Sequence, residues 1–241
     1  MSKGSQKPFT RLLSERAEAA GIALNSAQCA ALETYFALLK RWNSRINLTA
    51  LPVDDATDAT IDRLFIEPLV AAQALGDHYR NWFDLGSGGG SPAIPMKTSW
   101  PQTRLTMVES KSRKTAFLRE AIREVALPRA FVLEDRFEDL ARTNGAMSSA
   151  DLVTVRAVRL DAGLLVAAYS LLKAGGCFAV FSSKGQELFA SGSVKTAELM
   201  TAHQELTGKS LENAGGQLLW GRETHALPGE SILCVLRKPN L

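Results

Sequence analysis

The sequence predicts an α/β protein in which a doubly wound, mainly parallel β-sheet follows a helical extension. Residues 8–75 place apolar side chains at helical spacing, whereas from residue 79 onward short apolar runs alternate with amphipathic segments. The first of these runs ends in a turn that contains four glycines. We therefore expect a helical extension over residues 1–76, packed on the core, and a sheet domain over residues 77–241.

Three helical segments are expected before the sheet. The first runs from residue 8 to about residue 20, and the second begins after the Asn-Ser pair at 25–26, either of which can cap it. The third covers about 54–75 and contains Pro68. Because proline removes a backbone donor and clashes with the preceding turn, we expect a kink or a break just before it.

The alternating region predicts five strands and a terminal hairpin, the order expected of a seven-stranded sheet. The expected strands cover residues 82–85, 103–108, 131–133, 152–155, 177–181, 218–220 and 232–236. Helices are expected at 111–127, 161–172 and 193–206. In the first of these helices, the basic side chains expected in solvent are Lys111, Arg113, Lys114, Arg119 and Arg123.

The turn at residues 86–90, Gly-Ser-Gly-Gly-Gly, directly follows the first strand. Glycines allow positive φ and leave no Cβ between a ligand and the main chain. The second strand ends at Glu109, 109 − 86 = 23 residues after Gly86. A carboxylate about 20 residues past such a turn can accept hydrogen bonds from ribose hydroxyls. The combination predicts a site for an adenosine-containing cofactor.

Two details favour S-adenosylmethionine over a nicotinamide dinucleotide as that cofactor. Ser91 stands where the third glycine of a dinucleotide fingerprint would fall. Pro92 and Pro95 then follow in place of a regular helix whose N-terminus could hold a pyrophosphate. S-Adenosylmethionine carries no phosphate and needs only close backbone approach and a ribose acceptor.

Composition limits the remaining possibilities. The chain has 241 residues, 46% of them hydrophobic, which is enough for one substantial core. Its net charge of +3 is too mild to identify a nucleic-acid binder.

Cys29, Cys177 and Cys234 lie far apart and are expected to be free, buried thiols in a reducing compartment. The histidines lack metal-ligand spacing, and no apolar run is long enough for a membrane span. We expect a cytoplasmic protein without a metal site.

Several short segments occur in the order of one known family. They are Trp42 with 47–50, residues 84–95, residues 109–114 with 117–118, residues 136–138, residues 156–157 and residues 184–185. Together they resemble the GidB/RsmG family, bacterial methyltransferases acting on N7 of a guanine in 16S ribosomal RNA. The resemblance implies a seven-stranded, Rossmann-like sheet, S-adenosyl-L-methionine as the cofactor, and 16S ribosomal RNA or the small-subunit particle as the partner. We expect the enzyme to be a monomer.

The resemblance also implies a set of site residues. The cofactor positions are Gly86, Ser91, Glu109, Phe137, Glu138 and Arg156. Gly86 and Ser91 bracket the loop along the methionine part of the cofactor. Phe137 and Glu138 line the adenine, unless they are simply a core phenylalanine and a helix-start acid. Arg156 ends the fourth strand beside the transfer site and is the expected catalytic residue, since an arginine buried without a partner is costly.

The residues expected to contact RNA phosphates are Arg63, Lys111, Arg113 and Lys184. For Lys111 and Arg113 a solvated helix face is the alternative explanation.

The sequence departs from the family pattern at three places, one of which follows the glycine turn, where Ser91 and Ala93 replace the usual leucine and glycine. Before the glycine turn, Arg63 is kept but the usual histidine after it is lost, and Glu67 and Pro68 replace an aspartate and a serine. Ser231 stands where an arginine is expected in the last strand. Two alternatives therefore stay open: a methyltransferase of this fold with a different substrate, and a non-catalytic relative that binds the cofactor or the ribosome.

Overall fold

A computed structural model describes residues 8–183, 221–229, 231–238 and 240. Its strands are β1 (Asn81–Leu85), β2 (Arg104–Glu109), β3 (Ala130–Glu134), β4 (Ala150–Arg156), β5 (Leu172–Ser183), β6 (Gly221–Ala226) and β7 (Ser231–Arg237). They form one seven-stranded sheet in the order β3-β2-β1-β4-β5-β7-β6. The predicted α/β class and strand number are therefore confirmed.

The strand directions position the glycine turn. Strands β1 to β5 are parallel, whereas β7 runs antiparallel to both of its neighbours, β5 and β6. The carboxyl ends of β1, β2 and β4 consequently lie side by side, at the edge where ligands of such sheets bind. The strand expected at 218–220 and the helix expected at 193–206 lie outside the described residues, and the observed strand begins at Gly221.

The helices are α1 (Phe9–Ala19), α2 (Ser26–Asn43), α3 (Asp58–Ile61), α4 (Glu67–Leu75), α5 (Ala93–Ser99), α6 (Ser112–Glu124), α7 (Phe137–Leu140) and α8 (Ala162–Leu171). Asn25 caps α2, because its side chain accepts the backbone N–H of Gln28 at 2.8 Å. The first two helices thus match the sequence-based expectation. None of the helices in the described part of the chain combines the length and apolar character of a membrane span.

The third helical segment is interrupted, as the proline predicts. Residues Asp62–Ile66 form a π-helical segment, and α4 begins directly afterwards at Glu67 with Pro68 in its first turn. The backbone before the proline is already helical, so its missing N–H removes one donor to the preceding turn, where the Leu64 carbonyl accepts the Ser91 hydroxyl instead. The segment begins at Asp58, four residues later than the expected start near 54.

Helices cover both faces of the sheet. One core cluster joins the helical extension to the sheet and includes Tyr35, Phe65 and Trp82. The second lies on the opposite face, beneath α7 and α8, and includes Phe83 and Phe178. This arrangement is the predicted doubly wound layering, while the domain boundary at residue 76 stays a prediction.

The expectation for the cysteines is only partly right. All three are free thiols, and Cys177 and Cys234 are buried in the strands β5 and β7. Cys29 is only partly buried, so the predicted burial is wrong at that position.

A buried polar cluster joins β1 to β4 just before the glycine turn. The Trp82 Nε1–H donates to Thr154 Oγ1 at 2.8 Å, and the Thr154 hydroxyl donates to Asp84 Oδ1. The second carboxylate oxygen, Asp84 Oδ2, is buried and has no hydrogen-bond partner among the residues that the structure describes. Burial raises the pKa of Asp84 to about 6, although the hydrogen bond from Thr154 opposes the shift.

Asp84 should make the stability of the protein depend on pH. Its pKa rises from 3.8 to about 6 on folding, so folding favours the protonated acid and the free energy of unfolding should fall as pH rises through about 6. The expected loss by pH 7 is about 2–3 kcal/mol. Asp84→Asn should lack this fall when urea unfolding is measured at pH 4.5 and pH 7.5.

The matched control is Asp55→Asn, which changes an exposed acid and should keep the wild-type pH dependence. Equal pH dependence in Asp84→Asn and the wild type would contradict the assignment.

Candidate active site

The glycine turn has a backbone that few other residues adopt. Gly86, Gly88 and Gly90 have φ angles of 70°, 51° and 87°, in the left-handed region that side chains disfavour. A Cβ at Gly86 would lie 2.7 Å from Val158 Cγ2, and one at Gly90 would lie 2.5 Å from Ile94 Cδ1. At these two positions both the backbone conformation and the available space favour glycine.

Glu109 supports the turn from the end of β2, where the sequence predicts a carboxylate. Its Oε2 accepts the Gly88 N–H at 3.0 Å, and its Oε1 accepts the Lys111 N–H at 2.9 Å. A carboxylate offers about four lone-pair positions, so about two remain. Glu109 is 7% exposed. It therefore fixes the turn and still has acceptor capacity for the hydroxyl groups of a ligand.

A cavity of about 300 Å³ adjoins the turn. Its walls are residues 48–51 of the helical extension and residues 86–89 of the turn with Ser91, together with three cationic side chains, Arg63, Lys114 and Arg156. The structure thus brings four of the predicted site residues, Gly86, Ser91, Arg63 and Arg156, to one cavity.

A single buried carboxylate, that of Glu67, pairs with two arginines of the cavity. The Arg63 Nη1–H donates to Glu67 Oε2 at 3.0 Å, and the Arg156 Nη2–H donates to the same oxygen. The side chains of Arg156 and Glu67 are 7% and 3% exposed. Burial lowers the pKa of Arg156 to about 10, and the charge of Glu67 opposes this shift. The guanidinium therefore keeps its charge at neutral pH.

Two serine hydroxyls extend this network in opposite directions. Ser91 Oγ accepts from Arg156 Nη1 at 3.1 Å and donates to the Leu64 carbonyl at 2.9 Å. Ser231 Oγ, at the start of β7, accepts from Arg63 Nη1. The contacts form a continuous polar chain from the glycine turn to the last strand. They also show that Glu67 and Ser231, two of the unusual positions in this sequence, both bond to Arg63.

The other predicted site residues that the structure describes do not line this cavity, and Glu109 is among them. Phe137 and Glu138 begin α7 after β3, where Phe137 packs against the second core cluster and Glu138 lies 3.7 Å from the Arg136 guanidinium. Lys111 and Arg113 are exposed at the start of α6. Lys184 lies outside the described residues. The adenine and RNA assignments of these residues stay predictions.

Sequence reasoning missed two residues that shape the site. Tyr35 is fully buried in α2, and its hydroxyl donates to the carbonyl of Gly89 at 2.6 Å. Burial raises the pKa of Tyr35, which keeps the hydroxyl protonated as a donor. The sequence did contain a signal for the role of Tyr35, since it precedes Phe36 on the apolar face of α2. A tyrosine buried there needs a hydrogen-bond partner for its hydroxyl group. Lys114 was expected in solvent but is partly buried at the cavity.

Tyr35→Phe should weaken the glycine turn from the side of the helical extension. The substitution removes the donor to the Gly89 carbonyl and leaves that acceptor without its partner, which should lower the free energy of unfolding by about 1–3 kcal/mol. Urea unfolding monitored by circular dichroism measures the difference. Glu33→Ala, an exposed change in the same helix, should leave the stability within about 0.5 kcal/mol of wild type. A Tyr35→Phe protein as stable as wild type would show that this hydrogen bond contributes nothing.

Comparisons with known proteins point to one family. Residues 28–214 match the model of the GidB family, described as rRNA small subunit methyltransferase G. A protein named ribosomal RNA small subunit methyltransferase G from Xanthomonas axonopodis pv. citri (strain 306) is 39% identical over 156 residues, which cover 64% of this chain and 68% of that protein. A protein of the same name from Roseiflexus sp. (strain RS-1) is 33% identical over 201 residues, covering 83% and 82%.

Solved structures share the fold. A putative O-methyltransferase from Klebsiella pneumoniae superposes with a TM-score of 0.53 at 15% identity and covers 96% of this chain and 97% of its own. A SAM-dependent methyltransferase from Aquifex aeolicus superposes with a TM-score of 0.52 at 12% identity, covering 84% and 98%. The family match, the named relatives and the sheet order together lead to one conclusion: the chain belongs to the GidB family and is an S-adenosylmethionine-dependent methyltransferase.

Proposed function

We propose that this chain transfers a methyl group from S-adenosylmethionine to N7 of a guanine in 16S ribosomal RNA, as a monomer in the cytoplasm. The observation that carries this proposal is the convergence of a bare glycine turn, Glu109 and Arg156 at one edge of the sheet. The relatives named ribosomal RNA small subunit methyltransferase G supply the substrate class.

The residues around the turn fit S-adenosylmethionine. A Cβ built on Gly88 would have no neighbouring atom closer than 3.7 Å, so the main chain is open to a ligand there. Glu109 has acceptor positions for ribose hydroxyls, and Gly86 and Ser91 would bracket the methionine part. Asp84, two residues before Gly86, adds an acidic group whose Oδ2 has no hydrogen-bond partner in the described part of the chain, which suits a ligand with ammonium and sulfonium charges. When bound, the cofactor supplies a methyl group activated by its positive sulfur.

Guanine N7 carries a lone pair, so its methylation requires no prior removal of a proton and no general base. The protein must instead hold the acceptor nitrogen in line with the methyl group, and such positioning can supply roughly 7–11 kcal/mol. Arg156 is suited to this task because Glu67 and Ser91 fix its guanidinium in a buried position. We assign Arg156 to orient the substrate or the cofactor at the transfer site.

A methyltransferase of the same fold with a different substrate is the second candidate. The observation that favours it is that Arg63 bonds to Glu67 and Ser231, two positions that depart from the family pattern. Both bonds come from Nη1 of Arg63, so this nitrogen is already engaged within the protein, although we otherwise assign Arg63 to RNA phosphates. Transfer of a labelled methyl group to another acceptor would support this candidate, whereas cofactor binding without turnover would support a non-catalytic relative.

Methylation of 16S ribosomal RNA in cells tests the proposed reaction. A bacterial strain that lacks the family gene should regain N7-methylguanine, measured by mass spectrometry of digested 16S RNA, when this chain is expressed. Arg156→Ala should restore less than about 1% of that level, because a misplaced reactant costs about 100-fold in rate. Arg159→Ala, an exposed change three residues later, should restore the wild-type level.

Absence of N7-methylguanine with the wild-type chain would reject the guanine-N7 assignment. Full restoration by Arg156→Ala would reject the role of Arg156. Calorimetry with S-adenosylmethionine on each purified protein separates loss of the cofactor site from loss of methyl transfer.

RNA binding should depend on salt if the basic residues contact phosphates. We assign Arg63, Lys111, Arg113 and Lys184 to this role. Each phosphate contact contributes about 0.7–0.9 to the slope of log affinity against log salt concentration. Lys111→Ala with Arg113→Ala should therefore flatten the slope by about 1.5 in filter-binding titrations. An unchanged slope would place both side chains on a solvated helix face.

A further inference from the structure

The three cations of the cavity are not equivalent. Arg63 and Arg156 share the carboxylate of Glu67. The backbone N–H of Lys114 donates to the Lys111 carbonyl, but its ammonium group has no hydrogen bond and no ion pair with any residue in the described ranges. Glu109, the nearby acid at the end of β2, accepts the backbone N–H groups of Gly88 and Lys111 instead. Lys114 therefore brings an uncompensated positive charge to the cavity wall.

Lys114 is also the residue of its basic segment that reaches the cavity. Lys111 and Arg113 are exposed and do not line it, whereas Lys114 is half-buried in the first turn of α6 and does. Its Nζ lies 4.0 Å from the position that a Cβ on Gly88 would occupy. The ammonium group therefore lies beside Gly88, the glycine of the turn with the most free space around it.

The turn itself has few amide groups to offer a negatively charged ligand. Four of its five backbone N–H groups already donate to acceptors of the protein. The N–H groups of Gly86 and Ser87 donate to the Val108 carbonyl. The Gly88 N–H donates to the Glu109 carboxylate, and the Gly90 N–H donates to the Ser87 carbonyl. A helix N-terminus or glycine loop that binds an anion leaves such groups free. Here the anionic end of a ligand lying along the turn must be met chiefly by a side chain.

We propose that Lys114 binds the carboxylate of the amino-acid part of S-adenosylmethionine. The assignment rests on S-adenosylmethionine as the cofactor and on the placement of its methionine part along the turn at 86–91. The cofactor carries two positive groups and one negative group. The acids next to the turn are Asp84 in β1 and Glu109 at the end of β2, and neither can bind the negative group. Lys114 supplies the cation that the carboxylate requires, with the bond strength of a charge-assisted hydrogen bond.

Comparison of two cofactor molecules tests this contact directly. Calorimetry measures the affinity of the full chain for S-adenosylmethionine and for decarboxylated S-adenosylmethionine, which differ only in the carboxylate. Wild-type protein should bind the decarboxylated compound about 10-fold or more weakly, the loss expected for one charge-assisted hydrogen bond. Lys114→Met should weaken S-adenosylmethionine binding by a similar factor and change binding of the decarboxylated compound less than about twofold.

Two control variants accompany the test. Arg123→Met removes an exposed cation in the last turn of the same helix and should bind both compounds as the wild type does. Lys114→Arg keeps a cation at the same position and should recover at least part of the preference for the carboxylate. Thermal unfolding monitored by circular dichroism checks that each variant is folded.

Several results would overturn the proposal. Equal affinity of the wild-type protein for the two compounds would do so without any variant. Equal weakening of both compounds in folded Lys114→Met would indicate a structural role for the lysine. Unchanged cofactor binding in Lys114→Met, with a lower salt slope for 16S RNA, would assign Lys114 to an RNA phosphate instead. If the wild-type protein prefers S-adenosylmethionine to the decarboxylated compound but does not methylate guanine N7, the assignment of Lys114 stands and only the proposed substrate is wrong.

Discussion

The glycine turn depends on contacts from outside itself, because glycines have no side chains with which to fix their own conformation. The carbonyl of Val108 and the carboxylate of Glu109 hold it from β2. The hydroxyl of Tyr35 holds it from the helical extension. A backbone with several residues in the left-handed region would otherwise sample many conformations. The shape of the cofactor site is therefore set jointly by the sheet and by the helices that precede it.

One carboxylate, that of Glu67, pairs with two of the cationic side chains at the cavity. Glu67 is almost completely buried, and an unpaired charge in that position would be costly. Arg63 and Arg156 neutralise it, and in return it fixes the orientation of both guanidinium groups. Removing Glu67 would leave both arginines without their shared carboxylate, whereas removing either arginine would leave Glu67 paired with the other. The arrangement provides rigidity at the proposed transfer site.

Sequence reasoning reached those parts of the site that follow from local pattern and strand topology. The glycine turn, Glu109 and Arg156 all end parallel strands, so their meeting at one edge could be predicted from spacing alone. Tyr35 and Glu67 could not be found in this way, because their partners lie 54 and 89 residues away in the chain. The same reasoning predicted a break before Pro68 but not its π-helical form.

The π-helical segment has a consequence for how this site tolerates changes in chain length. Arg63 lies within Asp62–Ile66, and Glu67 follows immediately. An α-helix turns by about 100° per residue. A π-helical turn holds one residue more than an α-helical turn, so deleting one residue between Asp62 and Ile66 would give an ordinary α-helix in which Glu67 keeps its phase. The wide turn is therefore a place in this helix where the chain can shorten by one residue without turning Glu67 away from Arg156.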